Sequence, residues 1–263
     1  MKKTTIAWGM AGAVWLAGCG VGGTKTGNPD QVVPDVDAEI EVELRAWSSE
    51  ESVASLPEGQ QALTQGAALR RMLLSVYEVR LVEAIADGAC SGAVDGPVID
   101  GARAIDLLRG EALPPLTVAK KTRFCGLRLS LQPGSFLEER SEEAELLGDA
   151  SIFIEGSRAD GTPFIVHSRG VREILLRSQR AFGFTEDERW FVAFDAARMF
   201  APVDLEGAEV EGGLILISGY QNYEQLVQFE EVAPRSVNAC LDDEDGALDE
   251  ACRAPVLGEP PGA

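Results

Sequence analysis

The chain of 263 residues carries 43 acidic against 23 basic side chains and one histidine, for a formal charge of −20 at neutral pH. So acidic a surface excludes a nucleic-acid binder, which needs cations to neutralise phosphates, and excludes adhesion to anionic lipid by charge. The apolar fraction of 45% is that of a globular protein with a real core rather than of a disordered chain.

In chain order, Lys2 and Lys3 precede residues 6–18, which carry no charge, the layout of an export signal's basic and apolar regions. The uncharged run is 13 residues long, too short for a helix to cross the roughly 30 Å of a bilayer's hydrocarbon core. It closes on Leu16-Ala17-Gly18-Cys19, which resembles the lipobox of bacterial lipoproteins. The resemblance implies cleavage before Cys19, a diacylated sulfur on that residue and a further acyl chain on its new amino group. The partner it implies is the lipid bilayer, because several acyl chains hold a protein where one binds only marginally. Gly20 follows the cysteine where an Asp would imply retention in the inner membrane. The family pattern therefore implies the outer membrane, with the chain facing the periplasm or the cell surface. Loss of residues 1–18 removes two lysines and no acid, which moves the formal charge from −20 to −22.

Residues 19–37 are rich in Gly, Pro and polar side chains and read as a lipidated tether, with a span of roughly 20–25 Å. Within it, residues 24–29 (TKTGNP) resemble the tethers of uncharacterised bacterial lipoproteins. Residues 18–23 match the dinucleotide pattern GxGxxG literally, but no strand precedes them, no helix follows, and the match straddles the cleavage site, which rules out a nucleotide role. With Cys19 acylated, four cysteines remain, an even number in an oxidising compartment. Four allow three pairings; the reading favours Cys90 with Cys125 and Cys240 with Cys252, since each closes a local segment, and reduced buried thiols are the alternative.

Residues 38–47 alternate Ile40, Val42 and Leu44 with charged neighbours, which predicts a half-buried strand. A polar stretch leads to a long strand at 72–85, in which strict alternation fails near Glu78 and predicts a bulge. Gly, Asp and Ser predict a loop over 86–103, followed by a short strand or helical turn at 104–108. The clearest strand is 123–131, where Cys125, Leu127, Leu129 and Leu131 share one face. Residues 136–147 predict a short acidic helix with a solvated glutamate face. A hairpin is expected from 151–155 and 163–168 around Asp160-Gly161, then strands at 171–176, 190–195 and, last in the core, 214–218. Asn222 with Gln225 predicts a capping box for a helix that Pro234 stops.

Some seven strands with short turn-rich connections predict a mainly β fold, an antiparallel β-sandwich with one or two short peripheral helices. The expected organisation is a signal peptide at 1–18, the tether at 19–37, one sandwich domain at 38–235, and an acidic Cys-bracketed loop with a tail at 236–263. The run from 72–85 through 105–108 to 190–195 is similar to a family of uncharacterised bacterial β-sandwich lipoproteins, which names no activity and carries no site.

Chemistry is sparse. His167 is the one histidine and lies in an expected strand, so no histidine pair exists for zinc. Neither GxSxG nor a P-loop occurs, and Trp47 and Trp190 read as core residues. One constellation stands out: Asp243, Asp245 and Asp249, with Gly246, lie between Cys240 and Cys252. Acids on alternate residues with a Gly for the turn supply the oxygens a hard cation needs. The run resembles the Asp-x-Asp-Gly calcium loops of thrombospondin type 3 and EF-hand-like sites, and implies calcium bound weakly. It departs from the EF-hand at Leu241, in the first ligand position, and lacks the closing bidentate Glu. The expected function is a membrane-anchored envelope lipoprotein acting as a non-enzymatic binding or structural module for a protein or polysaccharide partner. The alternative is an anchored hydrolase of envelope or extracellular polymers, which needs two convergent carboxylates in a cleft.

Overall fold

The computed structural model describes residues 37–48, 60–63, 66–85, 89–138, 140–241 and 257. In chain order they form β1 (Asp37–Trp47), β2 (Gln61–Ala62), β3 (Ala68–Glu83), β4 (Val94–Asp106), β5 (Glu111–Ala112), β6 (Leu116–Ala119) and β7 (Phe124–Leu131). Next come α1 (Glu142–Leu147), β8 (Ile152–Ser157), β9 (Pro163–Ser168), β10 (Glu173–Phe182), β11 (Glu188–Asp195) and α2 (Ala196–Phe200). The described order closes with β12 (Ile215–Ile217), α3 (Tyr223–Val232) and β13 (Val237–Leu241). The fold is mainly β, as the alternation predicts. One sheet runs β13-β11-β1-β5 with β6 also on β1, and the other runs β10-β7-β3-β8-β9-β12 with β2 and β4 also on β3.

Two pairings depart from a purely antiparallel sandwich: β1 runs parallel to β11, and β9 parallel to β12. Both join strands far apart in sequence, which needs no hairpin turn and leaves no local turn signal.

The 16 residues of β3 organise the second sheet. Along one side its first half pairs with β8 and its second half with β7; along the other it pairs with β2 and β4. Core residues on β3 are Leu69, then Met72, Leu74 and Val76, then Val79 and Leu81. The parity changes twice, at the register shifts between Leu69 and Arg71 and between Val76 and Glu78. Each shift is a bulge that inserts one residue and so returns the apolar side chains to the core face. The bulge expected near Glu78 is thus present. Beyond it the outer face turns ionic: Arg80 donates to both carboxylate oxygens of Glu78, at 3.1 and 3.0 Å. Arg128 of β7 reaches Asp95 and Glu173. The Arg80 guanidinium holds the Glu78 carboxyl below the usual range against the opposing effect of burial.

Ile40, Val42 and Leu44 of β1 and Trp190, Val192 and Phe194 of β11 face the same core from the first sheet. That sheet's outer face carries a small cluster of Trp47, Phe191, Ala193 and Cys240. Helix α1 covers part of the second sheet's outer face, packing Ala144 and Leu147 on Leu73 and Phe153. The β8–β9 hairpin closes as expected: Gly161 takes φ +85°, and Asp160 accepts from the Thr162 N–H at 2.9 Å.

Several expectations change. The loop expected over 86–103 contains most of β4. Only Ile99 and Ile105 of β4 enter the core, so it carries no alternating signal, and its Gly and Asp residues suit an edge strand. Cys125 is buried, but neither neighbouring strand registers a partner for it; the chain is irregular there, and Phe124 takes the core position. The last described strand is β13, not 214–218, and it pairs with β11. The acidic helix shortens to α1, preceded by a 3-10 turn. Helix α2, which the sequence did not predict, starts where the Asp195 carboxylate accepts from the Arg198 N–H at 3.1 Å.

Gly126 of β7 lies against β10, where an added Cβ would come within 2.2 Å of the Leu176 carbonyl oxygen. We predict that Gly126→Ala lowers stability by about 1–3 kcal/mol in urea denaturation, as overpacking does. Gly219→Ala, whose Cβ would meet nothing within 4 Å, should leave the midpoint unchanged.

Candidate functional site

A groove of about 550 Å³ opens between the C-terminal half of β4, the turn into β5 and the start of α1. Its charged lining is Arg103, Asp106, Arg109, Glu111 and Glu143. The turn is built by Asp106. Its carbonyl accepts from the N–H groups of Arg109 and Gly110, each at 3.2 Å, and its carboxylate accepts from the Leu108 N–H at 3.1 Å. Gly110 closes the turn at φ +71°, where an added Cβ would lie 2.7 Å from Glu43 Oε1. Buried Leu107 anchors the turn, donating to the Met72 carbonyl and accepting from the Ala46 N–H, both at 2.8 Å.

The far wall is the first turn of α1. Ser141 caps it, its hydroxyl accepting from the Ala144 N–H at 3.2 Å. Glu143 is held below the usual carboxylate range, first by its own backbone N–H and then by the Ser141 hydroxyl, with Arg109 and Arg71 adding positive charge. Asp106 moves the other way. Burial raises its pKa and outweighs the Leu108 N–H and Arg109. Two carboxyls pushed in opposite directions thus share one groove and the same two guanidinium neighbours.

The guanidiniums are less committed. Arg109 Nε is 3.4 Å from Asp106 Oδ2, yet the side chain is 72% exposed. Arg103 Nη1 is 3.7 Å from Glu111 Oε1, and its Nε donates to the Gly101 carbonyl at 3.2 Å. Such a groove presents planar N–H donors to oxygens of a polar ligand, beside carboxylates that accept from hydroxyl or amine groups.

The residues singled out in the sequence fall elsewhere. Cys90 and Cys125 form a disulfide with Cα atoms 5.3 Å apart, as the local pairing expects. Cys240 is buried and disulfide-bonded, while its expected partner Cys252 lies outside the described residues. So do Cys19 and the calcium candidates Asp243, Asp245 and Asp249; among the described residues no group of three His, Cys, Asp or Glu side chains is placed to hold a metal. His167 is a sheet residue whose Nε2 donates to the Leu147 carbonyl at 2.9 Å, with its ring edge-on to Phe153. Among the described residues, no helix is long and apolar enough to cross a membrane.

Sequence reasoning missed the groove. Its local signals were Asp106 and Arg109 three residues apart before Gly110, and Ser141 two before Glu143; only the pairing of β4 with β3 and the packing of α1 bring them together. The chain matches no known family model, no curated protein and no solved structure.

The raised pKa of Asp106 fixes a sign. A carboxyl whose pKa rises on folding binds its proton more tightly in the fold, so its ionised form destabilises the fold above the raised pKa. Asp106→Asn keeps an acceptor for the Leu108 N–H and removes the buried charge. We predict that this variant has a higher urea midpoint than the parent at pH 7 and that the difference shrinks toward pH 4.

Proposed function

We propose that this chain is an outer-membrane lipoprotein, anchored through acyl chains on Cys19, whose β domain is a non-enzymatic binding module. The observation that carries the choice of binding over hydrolysis is the commitment of the groove's acids. Asp106 is used in the turn, Glu143 in the first turn of α1 and Glu111 in the ion pair with Arg103, while Arg109 is 72% exposed. The Cys90–Cys125 disulfide supports an oxidising compartment, in keeping with the export signal and the lipobox Leu16-Ala17-Gly18-Cys19. Weak calcium binding by Asp243, Asp245 and Asp249 belongs to the same proposal.

Membrane fractionation with palmitate labelling tests the anchor. The parent protein should label and sediment with membranes, and Cys19→Ala should do neither. A Cys19→Ala protein that stays in the membrane fraction contradicts the proposal.

The hydrolase reading retains one supporting observation, the opposed shifts of Asp106 and Glu143 within a single groove, an arrangement that pairs a general acid with an ionised partner. If the protein cleaves an envelope polymer, Asp106→Asn and Glu143→Gln should each reduce the rate at least a hundredfold. Cleavage that persists in both variants excludes this reading.

A further inference from the structure

Large apolar side chains exposed among the described residues concentrate at one corner. Val210, Tyr220, Tyr223 and Val227 are four of the eight such residues, and all lie within 18 positions around β12 and the start of α3. Tyr220 is 89% and Tyr223 61% exposed. Single exposed apolar residues are ordinary, whereas a contiguous group marks an interaction surface.

The corner is built, not frayed. Asn222, between the two tyrosines, sits at φ 51° and ψ 46°, the only non-glycine residue with positive φ among the described residues. The expected capping box is absent: the Asn222 side chain makes no bond to the helix. Its Oδ1 accepts from the Glu209 N–H at 2.7 Å, and its Nδ2 donates to the carbonyls of Glu209 and Leu216, each at 3.0 Å. One side chain thereby ties the Val210 segment to the Tyr220 segment. The Ser218 N–H donates to the Gln221 carbonyl at 2.8 Å, which closes the loop that carries Tyr220. Gly212 and Gly213, both with positive φ, form the tight turn between Glu211 and Leu214, whose backbones bond to each other at 3.0 and 3.1 Å. Backbone held in a sparsely populated conformation by three hydrogen bonds, with two aromatic rings presented to solvent, is a preorganised contact surface.

Charge identifies the partner. No Lys, Arg or His occurs between Arg198 and Arg235, while that interval holds Asp204, Glu206, Glu209, Glu211, Glu224, Glu230 and Glu231. Of these, Glu206 pairs with Arg158, Glu231 with Arg235, and Glu230 accepts from Ser168 and Gly170. Glu209, Glu211 and Glu224 are exposed beside the aromatic corner. Tyrosine faces attract guanidinium and ammonium groups, and flanking carboxylates pair with them.

We propose that Val210, Tyr220, Tyr223 and Val227, with Glu209, Glu211 and Glu224, form a docking surface for a partner protein segment rich in arginine and lysine. This deepens the binding-module reading by naming a partner class. Its test involves neither Cys19 nor the groove, so failure here leaves that reading standing.

The probe is a fluorescein-labelled peptide of six Arg-Ser repeats, followed by anisotropy against the full chain. The parent should bind it, and Tyr220→Ala with Tyr223→Ala should weaken binding at least tenfold. The double Tyr→Phe variant, which keeps both rings, should retain binding, and Glu209→Gln with Glu224→Gln should weaken it and flatten its salt dependence. Phe136→Ala, at an exposed aromatic outside the corner, should have no effect. The proposal is overturned if the double alanine variant binds like the parent, or if Phe136→Ala weakens binding equally, since the peptide is then held by general negative charge. It is equally overturned if the tyrosines prove instead to bind a neutral oligosaccharide such as cellohexaose, or to mediate self-association, while the arginine peptide fails.

Discussion

Strand β3 must serve strands on both of its edges while keeping one face apolar, and its two bulges make that combination feasible. A regular strand of 16 residues would carry a single parity to the core from end to end. The apolar residues of β3 instead change parity at Arg70 and again at Tyr77, and the backbone changes with them. The bulges also twist the strand, which lets its two halves meet β8 and β7 in turn along one edge. Everything placed on the second sheet depends on this register: the ionic face of Glu78, Arg80 and Arg128, the seat of α1 on Leu73, and the position of β4 along the opposite edge.

The groove follows from the same constraint. β4 pairs with β3 from Val94 to Asp106, so the register that places Ile105 in the core also places Asp106 at the sheet's end, where the turn begins. Helix α1 needs apolar cover on its other side and finds it in Leu73, Phe153, Ala102 and Ala104. Its capped first turn is thereby brought opposite that turn. At the other end of β3, the Cys90–Cys125 bridge ties the loop before β4 to β7 across a separation of 35 residues. In the chain-entropy picture a closure of that size stabilises the fold by about 4 kcal/mol. That contribution persists only where thiols stay oxidised.

What could be read from the sequence was whatever is local. Alternation exposed β1 and β7, the Asp160-Gly161 pair exposed the β8–β9 hairpin, and failed alternation located the bulge near Glu78. Cysteine spacing indicated the bridge that closes. What could not be read was non-local or carried by few apolar residues. β4 sends only Ile99 and Ile105 inward, β13 is five residues long with a polar Asn238 at its second position and lies beyond Pro234, and the parallel pairings of β1 with β11 and of β9 with β12 leave no turn behind. Asn222 is instructive because its composition fitted a helix cap, yet its αL backbone and its bonds to Glu209 and Leu216 give it a tertiary role that only the fold reveals. The groove was hidden for the same reason, since Asp106 and Glu143 are 37 positions apart in the chain.

As proposed above, a β domain shaped for binding is carried outside the cytoplasm on acyl chains at Cys19. Mass analysis of the protein extracted from membranes, digested without reduction, tests this most directly. The expected result is an N-terminal peptide that begins at Cys19 and carries the added mass of its acyl chains, together with a peptide pair cross-linked through Cys90 and Cys125. An N-terminal peptide that retains residues 1–18 with an unmodified Cys19, or Cys90 and Cys125 recovered as free thiols, would contradict it.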